Sequence, residues 1–193
     1  MTDDQIVVNK MEYDDFSWGT PWRNFEIICE GSSLYVNPGW LAEMSEFFKE
    51  RCRTENNLVI EYVPYNELLE FFQCIFYCPM RKSLSSNNIL IVYRLSKLFK
   101  MPTVTARCNI FLKNAVKNFD RNKLVQAARE LGDDSNSHTM SLIVDRIANL
   151  SDYDLSTMEF SELPGDIVAN VFNNHHMKKQ KKNKKRGGIC SIM

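Results

Sequence analysis

Cys190-Ser191-Ile192-Met193 close this chain of 193 residues. Their order is that of a prenylation site: a thiol, two further residues and a terminal methionine that points to a farnesyl chain. One lipid chain holds a protein to a bilayer only marginally, so stable anchoring takes a second signal. Lys178, Lys179, Lys181, Lys182, Lys184, Lys185 and Arg186 supply one directly upstream, followed by Gly187-Gly188. At about 1 kcal/mol for each cation near an anionic leaflet, the seven together are worth at most roughly 7 kcal/mol before saturation and salt screening. The pattern predicts lipidation at Cys190 and contact of the basic run with an anionic membrane surface. Two other readings stay open: a disordered basic tail with an incidental cysteine, and a nuclear address.

The remaining reactive residue types make no catalytic set. A catalytic centre needs a nucleophile or a metal with an oriented base. The histidines are His138, in a polar stretch, and His175-His176, beside the basic run, where solvated imidazoles are expected. Asp133-Asp134 and Asp152-Tyr153-Asp154 read as loop acids or helix caps. Cys29, Cys52, Cys74, Cys78 and Cys108 fall in apolar or helical segments and behave as small buried hydrophobes. Cys74 and Cys78 share a helix face, but no second ligand pair stands at metal spacing. The chain is read as no enzyme, with no cofactor and no metal.

Charge narrows the function classes further. Lys and Arg number 24 and Asp and Glu 24, so the net charge is zero. Setting aside the basic run leaves 17 basic against 24 acidic residues, a balance of −7. A mildly acidic body argues against specific nucleic-acid binding. The first 16 residues are acidic and polar and do not form a signal peptide, and no stretch approaches the ~18 uninterrupted apolar residues of a membrane span. Reduced cysteines and a cytosolic or nuclear setting are expected.

The elements that must carry these residues are legible in outline. Residues 1–22 read as a poorly ordered acidic leader in which Trp18 and Trp22 make at most edge contacts. Phe25–Cys29 and Ser32–Val36 read as a hairpin turned at Glu30-Gly31. Asn37-Pro38 opens a helix carrying Trp40, Leu41 and Met44. Ser45 caps a second, short helix with Phe47 and Phe48. A polar loop at 53–56 leads to a strand at 58–62, which Pro64 stops. The segment 65–78 reads as a helix buried between neighbours. Helices follow over 88–100, 103–113, 120–131 (closed by Gly132 at C′), 139–150 and 164–172.

Taken in order, these motifs resemble the BTB/POZ domain. The hairpin at 25–36 looks like the family's first. Leu41-Ala42-Glu43-Met44-Ser45-Glu46-Phe47-Phe48 looks like its "leucine, alanine, two residues, serine, one residue, aromatic, phenylalanine" stretch. The helix from Tyr65 to Tyr77 looks like the one after the third strand. Leu95 to Pro102, followed by Arg107-Cys108, resembles the closing helix pair. The divergent, cysteine-rich style is similar to the nematode sets of such domains.

The resemblance implies an α+β, mostly helical fold: a BTB/POZ domain over 23–115, a helical extension over 116–176 and a disordered polybasic tail over 177–193. It implies a dimerising adaptor for protein–protein assembly. Trp40, Leu41 and Met44 are its candidate dimer surface, although Leu41 and Met44 can equally face the monomer core. Many members bind a cullin scaffold for ubiquitin transfer, through a hydrophobic residue, one residue and a glutamate in the loop before the third strand. Cys52 and Glu55 are the candidates here, spaced one residue wider than that motif. Asn24 and Pro38-Gly39 replace the acidic and basic residues common at those places. The expected partners are a second copy of the chain, a cullin scaffold and an anionic membrane, with no specific nucleic acid. The expected location is the cytoplasmic face of the plasma membrane or an endomembrane, with the nucleus or nuclear envelope as alternative.

Overall fold

A two-residue turn sets the register of the first hairpin. Glu30 and Gly31 have φ of 48° and 74°, the pair of positive angles whose twist suits two adjoining antiparallel strands. Strand β1 (Phe25–Cys29) therefore pairs with β2 (Ser32–Val36) from Cys29↔Ser32 to Phe25↔Val36. The computed structural model describes residues 16–76 and 81–187, the last six as backbone only. Strand β3 (Asn57–Val59) lies parallel to β1 on its other side, giving the order β2-β1-β3. The sequence predicts this strand at 58–62; it stops sooner because its partner runs out. Ile60 N–H still reaches Ile28 O at 2.9 Å, but β1 has only Cys29 left before its turn.

The same turn supports a helix. Pro64 precedes helix α3 (Tyr65–Ile75) and offers no side-chain cap, and Glu30 Oε2 accepts the Tyr65 N–H at 2.9 Å instead. Helix α1 (Pro38–Met44) begins as the sequence predicts, with Pro38 in its first turn and the Asn37 side chain accepting from Trp40 N. Ser45 ends α1 and caps α2 (Glu46–Thr54). Helix α4 (Ile89–Leu98) and the start of α5 (Pro102–Ala115) complete the first unit. Its core runs from Ile27 and Leu34 on the sheet through Leu41 and Phe48 to Leu68, Phe71, Phe72, Val92, Leu95 and Phe99, all fully buried.

The chain divides into two compact units, 1–105 and 106–193, with the division inside α5. The second unit is helical: α6 (Arg121–Glu130), α7 (His138–Ile147), the single-turn α8 (Asp152–Ser156) and α9 (Gly165–Gly187). Helix α7 packs on both α6 and α9. Buried Leu124, Ala127, Ile143, Ile147, Ile167 and Val171 form its interior.

Among the described glycines only Gly31 has a positive φ. Gly132 stands at C′ of α6, as the sequence predicts, one residue past the C-cap Leu131. It opens a 3-10 turn, and its lack of a side chain serves packing, since a Cβ would stand 3.2 Å from Pro164 Cγ. Of the two readings open to Asp152-Tyr153-Asp154, loop acids or helix caps, the structure favours the helical one: they open α8, with Asp152 and Asp154 in its first turn and Ser151 as N-cap. Helix α9 does not end at Phe172, and the tail expected to be disordered from 177 is helical to Gly187. Residues 173–186 hold no proline or glycine and are rich in lysine, which tolerates a helix well.

Helix α4 ends in a Schellman motif: Met101 N–H bonds Ser96 O at 2.8 Å and Lys100 has φ 51°. A left-handed conformation costs an L-residue about 1–2 kcal/mol, a cost glycine avoids. Lys100→Gly is expected to raise stability by ~0.5–1 kcal/mol after the entropy lost to a freer unfolded chain. The reading is a higher urea midpoint at unchanged slope.

Candidate functional site

Helix α1 presents an aromatic residue that is held from beneath. The Trp40 ring stacks on Phe76 at 4.7 Å between centroids and 27° between planes. Phe76 in turn touches Phe16 at 5.1 Å and Phe72 at 5.8 Å. Trp40 and Met44 stay half-buried, with part of each side chain open to solvent. Leu41 is fully buried. Of the two roles open to it, the core is the one the fold assigns, and the surface of α1 is left to Trp40 and Met44.

Phe16 is the residue that sequence reasoning missed. It is 4% exposed, while Trp18 and Trp22 are 45% and 78% exposed. Tyr35 N–H donates to Phe16 O at 2.7 Å, so the end of the leader lies against β2 and its ring props the stack under Trp40. A lone phenylalanine in an acidic stretch carries no periodicity that would have flagged it.

Cys52 and Glu55 do not occupy an open loop. Helix α2 continues through Thr54, with Glu55 as its C-cap. Cys52 is half-buried, and burial, with the Glu55 charge adding, pushes its thiol up to about 11. Glu55 Oε1 accepts from Arg51 Nη1 at 2.9 Å, an exposed pair one turn apart. Such pairs are weak and open readily.

The start of the basic run is engaged within its own unit. Contrary to the solvated role expected for it, His175 is half-buried. Its Nδ1 lies 2.9 Å from Ala148 O and its Nε2 2.9 Å from Asp152 Oδ1. Both ring nitrogens thus face oxygen atoms of the α7–α8 region. Lys179 Nζ donates to both Asp152 oxygens at 2.6 and 2.7 Å. Lys178 Nζ lies 3.2 Å from Asp145 O and 3.4 Å from Asp145 Oδ1. Lys181 is exposed. The side chains of Lys182, Lys184, Lys185 and Arg186, and all of Cys190 and Cys78, lie outside the described residues. Among the described residues, no helix is long and apolar enough to cross a membrane, and no three His, Cys, Asp or Glu stand where they could hold a metal ion.

The BTB/POZ domain model matches residues 22–115. The chain is also 40% identical over 183 residues to cytokinesis defective protein 7 of Caenorhabditis elegans, covering 89% of this chain and 68% of that one. The chain belongs to the BTB/POZ family. Its BTB domain is a protein–protein interaction module, and domains of this family commonly dimerise and bind cullins. The matched region ends with α5, so the helices from α6 onward lie beyond the BTB domain. The likeness to the nematode relative spans more of the chain than that domain alone.

The Asp152 carboxyl is held below the usual carboxylate range, first by the hydrogen bond from Lys179 and then by that from His175. Its contribution to docking α9 is therefore present above the ordinary value of about 3.9 and is lost as pH falls through the lower folded value. Carbon-detected NMR titration of this carboxyl should give a midpoint below the ordinary value, and Lys179→Gln should move it upward. No movement in Lys179→Gln would show that Lys179 does not reach Asp152 in solution.

Proposed function

We propose that this chain is a dimerising BTB adaptor tethered to an anionic membrane surface, where it gathers partners without catalysis. The observation that carries the assembly reading is Trp40, braced by Phe76 and partly open on α1 beside Met44. A rigid, half-exposed tryptophan is the kind of residue that dominates an interface, because little side-chain freedom is lost when it is covered. The seven basic residues from Lys178 to Arg186 and the lipidation candidate Cys190 support the membrane reading. A dimer doubles the anchors, and the second engages at high effective concentration.

Partner and place follow as parts of this proposal. A cullin scaffold is the second reading, resting on Cys52 and Glu55. It requires the Arg51–Glu55 pair to open, which costs little, and it uses Cys52 as a protonated, half-buried hydrophobe. The name of the nematode relative ties that protein to cytokinesis, so the cortex of a dividing cell is the first place to look for this one. The nuclear envelope is the alternative location. A tag at the N-terminus, leaving Cys190 untouched, distinguishes the two by imaging.

Sedimentation equilibrium of the full chain is expected to show a monomer–dimer equilibrium. Trp40→Glu should weaken it more than tenfold, as loss of a central tryptophan costs at least about 2 kcal/mol. An unchanged equilibrium would remove α1 as the interface. In cells, Cys190→Ser should move the protein from the membrane to the soluble fraction. For the second reading, the full chain should retain a cullin scaffold and Glu55→Ala should reduce that retention; no retention by a folded protein leaves the scaffold role alone.

A further inference from the structure

The basic run has a competitor for lipid inside the protein. Lys178 and Lys179, the first two of its cations, already face carboxylates of the unit that carries them. Asp145, near the end of α7, takes Lys178 and also accepts from Asn174 Nδ2 at 3.0 Å. Asp152, at the start of α8, takes Lys179 and His175 together. His175 closes the arrangement by bridging Asp152 to the Ala148 carbonyl, one residue beyond the end of α7. Four consecutive polar contacts along α9, at 174, 175, 178 and 179, thus point to one side of the helix, at the spacing of successive turns.

We propose that Asp145 and Asp152 form an electrostatic latch that holds the start of the basic run against α7 and α8 and withholds Lys178 and Lys179 from anionic lipid. This rests on the membrane reading above and adds its regulation. An exposed carboxylate and an anionic headgroup offer the same partner to an ammonium group, so one cation cannot serve both fully. With the latch closed, the run meets a membrane through Lys181 and the cations after it. With the latch open, two more cations become available and the bound state gains their attraction. Any partner or modification that engages Asp145 or Asp152 therefore strengthens membrane attachment without touching the basic run.

The test is co-sedimentation of the full, unlipidated chain with vesicles of phosphatidylcholine alone and with phosphatidylserine added. Asp145→Asn with Asp152→Asn should bind the anionic vesicles about tenfold more tightly, since each exposed pair shifts an equilibrium about two- to fivefold. The same gain in charge at two carboxylates that pair with neither lysine, by Asp133→Asn with Glu159→Gln, should change binding less than twofold. Adding Lys178→Gln and Lys179→Gln to the latch variant should abolish the gain. In the parent chain the two lysine changes should matter little, whereas Lys181→Gln with Lys182→Gln should weaken binding clearly. Amide exchange over 174–181 should quicken in the latch variant. Equal binding by the latch variant and its charge control overturns the latch and leaves the membrane reading standing. No preference of any form for anionic over neutral vesicles overturns both.

Discussion

One buried hydroxyl joins the helical layer of the BTB domain. Ser45 is 2% exposed, terminates α1, caps α2 through Phe48 N at 3.1 Å and donates its own proton to Phe99 O at the end of α4. Without that donor the Phe99 carbonyl would lie buried with one partner fewer, at about 1–3 kcal/mol. The Phe99 ring meets Phe47, Phe48 and Phe71 at 5.5, 5.0 and 5.6 Å between centroids. The serine thus sets where α1 stops, and the aromatic cluster sets what it rests on. Trp40 is presented from a helix whose end cannot shift without breaking both.

The parts of this design that are local in sequence were legible from it. Asn37-Pro38 and Ser45 announce the starts of α1 and α2 because capping is a contact between near neighbours. Glu30-Gly31 announces the hairpin for the same reason. What was misread or missed depends on distant residues. Gly132 does follow the end of α6, but the reason for a glycine there lies at Pro164. Helix α8 is one turn long and earns its place by meeting His175 and Lys179 from α9. Phe16 has no local pattern at all, only a buried position beside β2 and α3. The resemblance to the BTB domain survived these errors because it rested on the order of the local motifs.

The extension changes how the basic run is understood. Composition alone presents seven cations as a free tail, yet the first two belong to a folded helix with carboxylate partners. Among the described residues of the run, charge is therefore arranged in two ways: Lys178 and Lys179 in close pairs that dock α9, and Lys181 exposed. Exposed pairs of this sort contribute little to stability, which suits the latch proposed above. The aromatic face of α1 is built in the opposite way, on a buried stack that resists movement. The proposed assembly surface is thus rigid and the proposed attachment surface yielding.

Amide hydrogen exchange of the full chain, followed over a hundredfold range of protein concentration, tests the assembly claim most directly. The account predicts that amides of residues 39–44 in α1 slow as concentration rises, while those of α9 keep their rates. Exchange in α1 that is the same at every concentration, or slowing confined to another element, would contradict it.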